Sequence, residues 1–176
     1  MRKEMGYVHL YTGNGKGKTT AAFGLALRAL GAGLSVYIGQ FVKDMRYHET
    51  FLGELIGNER LIIEQLGRGC FIDAPPSELD ILIAQSAIRH VVQLMTSGSY
   101  DVVILDELTI AEYYGLLSTE SIINALKQRA KNTEVIITGR YASQALIDYA
   151  DLVTEMREVK HYYTLYGTLS RPGIDY

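Results

Sequence analysis

A single cysteine, Cys70, among 176 residues leaves no internal disulfide to staple the chain. The four histidines are scattered, without the spacing of a zinc site. No apolar run approaches the ~18 residues of a membrane helix, and the N-terminal residues lack a signal-peptide pattern. A basic excess is missing too. Lys and Arg total 17 against 20 Asp and Glu, and the net charge of −3 argues against nucleic acid as a partner. These absences point to a reducing cytoplasm, with neither a membrane nor a nucleic-acid partner. No internal repeat or linker interrupts the chain. Hydrophobic residues at 48% and charged residues at 21% are enough for one core, so residues 1–176 read as one domain.

Strand and helix patterns alternate from end to end. Apolar runs at 7–11, 34–40, 61–66, 101–105, 134–138 and 152–156 read as strands, the last as a core strand. The run DVVIL at 101–105 is apolar after its first residue, as in a strand covered on both faces. Helices are expected at 19–30, 119–130 and 143–150, with a long one opened by Ser77. Asp80 follows Ser77 as in a capping box, and Leu79, Ile83, Ala87, Val91 and Met95 form one apolar stripe. The Tyr-rich tail from residue 160 reads as an added edge strand. Stretches 43–59 and 67–77 are places for a substrate lid. The order predicts a doubly wound, mostly parallel α/β sheet.

The strongest motif is Thr12-Gly13-Asn14-Gly15-Lys16-Gly17-Lys18-Thr19-Thr20, set between a strand and a helix. Glycines at 13, 15 and 17 allow backbone angles that turn successive N–H groups inward. A helix N-terminus adds about half a positive charge beneath a bound phosphate. Lys18 supplies a full charge for the outer oxygens and Thr19 a hydroxyl for Mg²⁺. The first position of the general phosphate-loop pattern is glycine, and Thr12 stands there instead. An acid that helps hold the metal is expected after an apolar strand. Asp106-Glu107 stands there, with both acids expected to face the phosphates.

These residues, taken in order, resemble the P-loop class of ATP:corrinoid adenosyltransferases. The matching segments are TGNGKGKTTAAFG at 12–24, RA with GAG at 28–33, QFVK at 40–43 and YDVVILDELT at 100–109. EVIITGR at 134–140, ADLVTEM at 150–156, VKH at 159–161 and GIDY at 173–176 complete the set. The resemblance implies a RecA-like P-loop NTPase fold and transfer of the adenosyl group of ATP to Co(I), releasing triphosphate. It implies that Gly13 to Thr19 cradle the triphosphate, with Lys18 neutralising it, and that Thr19 and Glu107 hold Mg²⁺. Asp106 is the lesser metal candidate. A homodimer and an electron donor for cobalt are implied as well. Co(I) is itself a strong nucleophile, so no side-chain nucleophile or general base is expected, and no such arrangement is found.

In the family the loop matching 67–73 commonly reads G-x-G-F-x-W-E, whose aromatics press on the corrinoid. Here it reads GRGCFID, and the chain has no tryptophan, so Phe71 is the expected ring contact. Six residues precede the first strand, and no longer N-terminal cover for the site is expected. Arg28 on the first helix and Arg140 at a strand end are further candidate nucleotide contacts. His161 reads as a polar strand residue, and Tyr162, Tyr163 and Tyr166 as a dimer patch or a sheet edge. The alternative function is another P-loop NTPase or a small-molecule kinase, which would need a residue to orient water or a hydroxyl. A corrinoid carrier without strong catalysis is a third reading.

Overall fold

In the computed structural model, which describes residues 5–42, 47–57, 59–68 and 75–175, six parallel strands form one sheet. In chain order they are β1 (Val8–Thr12), β2 (Val36–Gln40), β3 (Leu61–Gln65), β4 (Val102–Asp106), β5 (Glu134–Thr138) and β6 (Leu152–Glu155). Across the sheet they run β3-β2-β4-β5-β1-β6. The helices are α1 (Lys18–Gly31), α2 (Leu52–Ile56), α3 (Glu78–Ser97), α4 (Leu108–Tyr113), α5 (Thr119–Lys127), α6 (Gln144–Tyr149) and α7 (Tyr162–Tyr166). A 3₁₀ turn at His48–Phe51 precedes α2. This is the doubly wound α/β fold expected from the alternation. Among the described residues no helix is long and apolar enough to cross a membrane.

Strand periodicity explains why the central runs are apolar throughout. Val102 and Ile104 of β4, with Ile136 of β5, pack on Ala22, Phe23 and Ala26 of α1. Val103, Leu105, Val135 and Ile137 face the other way, toward Val91 and Met95 of α3, Leu126 of α5 and Leu146 of α6. Successive side chains point to opposite faces, and both faces are covered. The register sets Gln40 beside Asp106 and Tyr11 beside Thr138. The carboxyl ends of the inner strands therefore form one row, where ligands bind in open α/β sheets.

Three expectations change. The run at 152–156 forms an edge strand, not a core one: β6 pairs with β1 alone among the described residues, and all four of its residues are exposed. The tail forms α7 and turns rather than an added strand. Leu79, 51% exposed, drops out of the α3 stripe, and Ile83 is only partly buried. Burial falls instead on Ala84, Ala87, Ile88, Val91 and Met95. The capping box is present, with the Ser77 hydroxyl accepting from the Asp80 N–H and the Asp80 carboxylate accepting from the Ser77 N–H. Helix α4, directly after Asp106-Glu107, is an element the sequence reading did not separate.

Met95→Ala should cost about 2–5 kcal/mol in urea unfolding, the usual range for emptying a buried methionine site. Leu79→Ala, which removes an exposed side chain, should change stability by no more than about 0.5 kcal/mol. Equal losses would restore the stripe as first read.

Candidate functional site

The glycine-rich turn after β1 is shaped by two different demands. Gly13 and Gly17 have φ of +93° and +114°, where a Cβ is strongly disfavoured. Gly15 is needed for proximity: its N–H donates to the Met156 carbonyl at 2.6 Å, and a Cβ there would lie 2.7 Å from the same oxygen. The loop is thereby laid against the chain leaving β6. Gly17 caps α1 without a side-chain bond, and the first turn of that helix contains no acid. The positive end of the helix is thus left for an anion.

Lys18 is buried, with 7% of its surface exposed, and its ammonium donates to the carbonyls of Gly13 at 2.7 Å and Gly15 at 2.8 Å. Burial, then the nearby Arg140 charge, lower its pKa, against the opposing pull of Glu107 and Asp106. The Thr19 hydroxyl donates to Asp106 Oδ1 at 2.8 Å. Asp106 is fully buried and also accepts from Thr138 Oγ1 at 2.6 Å and from Gln40 Nε2 at 3.0 Å. Next to it, Glu107 takes a left-handed conformation, φ +59°, at the start of α4.

Two hollows meet at this row. The first, about 420 Å³, is lined by Gly15, Lys18, Thr19, Glu107 and Arg140, and on its far side by the tail. The second, about 630 Å³, shares Thr19, Thr20 and Glu107 and adds the apolar side chains Phe23, Leu27 and Leu52. Among the described residues no group of three His, Cys, Asp or Glu side chains is placed to hold a metal.

The structure brings some of the expected residues together and not others. Gly15, Lys16, Gly17, Lys18, Thr19, Thr20, Glu107 and Arg140 all line the first hollow. The two acids do not both face it. Asp106 lies in the strand and points toward α1, whereas Glu107 leaves the strand through its left-handed turn and lines both hollows. Lys16 is taken by the tail: its ammonium donates to Asp175, to the Ile174 carbonyl at 2.7 Å and to the Tyr162 hydroxyl at 3.0 Å. Asn14 is exposed and lines neither hollow, and Gly13 contributes its carbonyl to Lys18. Arg28 sits in the last turn of α1, about 15 Å along the axis from Lys18, and lines neither hollow. Phe71 and Cys70 lie outside the described residues.

The tail is the part the sequence reading missed. Tyr162 donates to Asp175, Arg171 Nε bonds Asp175 at 3.2 Å, and the Arg171 guanidinium lies 4.7 Å from the Tyr162 ring centre. The bonds from Lys16 and then Tyr162 hold the Asp175 carboxyl well below the usual carboxylate range. His161, expected on a strand, accepts from the Tyr163 N–H at the start of α7 and lines the first hollow. Its signal was present in the matched segments VKH and GIDY, but nothing in their spacing says that they return to the glycine loop.

The fold and this loop define a doubly wound α/β protein with an anion-ready helix N-terminus at the carboxyl edge of its sheet. A family model described as ATP:corrinoid adenosyltransferase BtuR/CobO/CobP matches residues 4–176. The chain belongs to this family. The corrinoid adenosyltransferase of Escherichia coli K12 is 37% identical over 180 residues, covering 98% of this chain and 87% of that protein. Corrinoid adenosyltransferase CobA of Salmonella typhimurium is 37% identical, covering 99% and 88%. The Pseudomonas aeruginosa corrinoid adenosyltransferase is 33% identical, covering 99% and 86%.

The Lys18 environment gives a direct test of the anion site. Because the folded chain holds the Lys18 proton less tightly than the unfolded chain, this group makes the ligand-free protein gain stability as pH rises from the lowered value toward 10.5. An added triphosphate brings negative charge and should move the Lys18 titration, followed by NMR at its side chain, upward. No movement would place the anion elsewhere.

Proposed function

We propose that the loop from Gly13 to Thr19 acts as a P-loop in the reaction of this family, ATP-dependent adenosyl transfer to a corrinoid. Co(I) attacks the ribose 5′ carbon. The cobalt–carbon bond forms with both electrons from cobalt, which becomes Co(III), and the carbon–oxygen bond breaks so that triphosphate leaves intact. The chain must hold the nucleotide in line and stabilise charge on the leaving group. Backbone N–H groups of the loop, Lys18 and Arg140 supply that stabilisation, and Thr20 closes the same wall. The observation that carries the reading is the buried Lys18, folded onto its own loop carbonyls beside an uncapped helix N-terminus.

The donor set suits Mg²⁺, which favours hard oxygens and binds through one or two carboxylates together with substrate phosphates. Thr19 and Glu107 are the residues that would hold it, with Asp106 acting through the Thr19 hydroxyl. Gln40 Oε1, fully buried beside Asp106, has no hydrogen-bond partner among the described residues and is an acceptor that a hydrated cation would satisfy. When bound, the ion would neutralise charge on the leaving phosphates.

The second hollow, apolar along Phe23, Leu27 and Leu52 and continuous with the first at Thr19 and Glu107, is the place for the less polar substrate. Phe71 remains the proposed ring contact of the 67–73 loop. The chain is proposed to work as one domain, in the cytoplasm, with a separate electron donor to bring cobalt to Co(I). A homodimer is supported by the exposed Leu152 and Val153 of β6 and the exposed Tyr163 and Tyr166 of the tail.

Lys18→Ala should weaken ATP binding by about 1.5–3 kcal/mol, the range for a hydrogen bond to a charged group, with the fold retained. Glu107→Gln should lower the rate and raise the Mg²⁺ needed, with Tm near that of the parent. Asp106→Asn should lower Tm as well, since a neutral amide would face three donors, two of them fully buried. Unchanged ATP affinity in folded Lys18→Ala would overturn the site.

A further inference from the structure

Glu107 and Tyr141 are the non-glycine residues with positive φ among the described residues. Glu107 holds φ +59° at the point where β4 ends, and this turn carries its carboxylate out of the strand into the two hollows. A residue with a Cβ does not keep such a conformation unless its surroundings fix it. The backbone N–H of Glu107 donates to Thr138 Oγ1 at 3.0 Å, and the same hydroxyl donates to Asp106 Oδ1 at 2.6 Å.

A threonine hydroxyl has one proton. It is donated in the hydrogen bond to Asp106, so a lone pair is directed at the Glu107 amide and the arrangement has one solution. Thr138 is fully buried at the end of a strand whose preceding residues are Val135, Ile136 and Ile137. A valine would fill the same space, so packing does not require the hydroxyl. Asp106 also accepts from Thr19, and a continuous set of bonds runs from the first turn of α1 through Asp106 and Thr138 to the Glu107 backbone. Gly139 completes the clamp. A Cβ there would lie 2.2 Å from Thr109 Oγ1 and 3.4 Å from Glu107 Oε2, and Thr109 Oγ1 in turn donates to the Arg140 carbonyl at 2.7 Å.

We propose that Thr138 is a positioning residue whose hydroxyl sets the left-handed turn of Glu107 and ties it to Thr19. The inference rests on the role given to Glu107 above. Its test uses the full chain with Thr138→Val, Thr138→Ser, Glu107→Gln and the Thr138→Val/Glu107→Gln pair; Thr138→Ala replaces the valine variant if that one does not fold. Hydrogen exchange at the Glu107 amide is followed by NMR, alongside kcat, KM for ATP and the Mg²⁺ response.

In Thr138→Val the Glu107 amide should exchange at least about tenfold faster, and kcat should fall about 10- to 100-fold, as for loss of a partner that orients a ligand. The KM for ATP should stay within a factor of about three, and Thr138→Ser should behave as the parent on every measure. In the Glu107→Gln background, Thr138→Val should add little further loss. Parent-like exchange and kcat in Thr138→Val would overturn the proposal. So would a serine variant as impaired as the valine one, or a full multiplicative loss in the double variant. A parent-like Glu107→Gln would instead remove the role of Glu107, while the amide exchange would still report on the clamp.

Discussion

A carboxylate with no exposure to water, Asp106, organises the carboxyl edge of the sheet. Burying such a group is costly unless its oxygens are bonded, and three side chains from three different elements do this. Gln40 comes from β2, Thr138 from β5 and Thr19 from α1. Each bond fixes one neighbour of the glycine loop. The loop, the central strands and the first turn of α1 therefore share a fully buried reference point. Lys18 supplies nearby positive charge, so the acid does not stand uncompensated.

The same region holds two cations in provisional partnerships. Lys18 is satisfied by its own loop carbonyls and Lys16 by Asp175 of the tail. A triphosphate entering the first hollow, as proposed, would offer both ammonium groups stronger, charged acceptors. For Lys18 the exchange is favourable, because neutral carbonyls are given up. For Lys16 one carboxylate is replaced by another anion, and the gain is smaller. Tyr162 and Asp175, the latter also held by Arg171, line one side of the hollow, so the tail belongs to its wall rather than to a sheet edge.

Much of this was legible in the residues. The inner strands stand out because a strand buried on both faces must be apolar throughout, and the loop stands out because three glycines precede Lys18-Thr19. The roles of Asp106 and Glu107 were harder to read. Neighbours on a strand point to opposite faces, so two adjacent acids face one ligand only if the strand has ended, and the left-handed turn at Glu107 is what ends it. Thr138 and Gln40 look like ordinary polar strand ends in sequence, because their purpose lies in partners 32 and 66 residues away. The edge position of β6 is likewise a matter of pairing, since Leu152 and Val153 read as core residues. The tail has no periodic pattern at all; a tyrosine hydroxyl and an aspartate bring it back to Lys16.

In the proposed reaction the chain grips an intact triphosphate, while the bond-making electrons come from cobalt. The fate of γ-labelled phosphate tests this most directly. With ATP, Mg²⁺ and a Co(I) corrinoid, the label should appear in triphosphate, in equal amount to the adenosyl-corrinoid formed. Label released as free phosphate, with ADP and no cobalt–carbon bond, would contradict it.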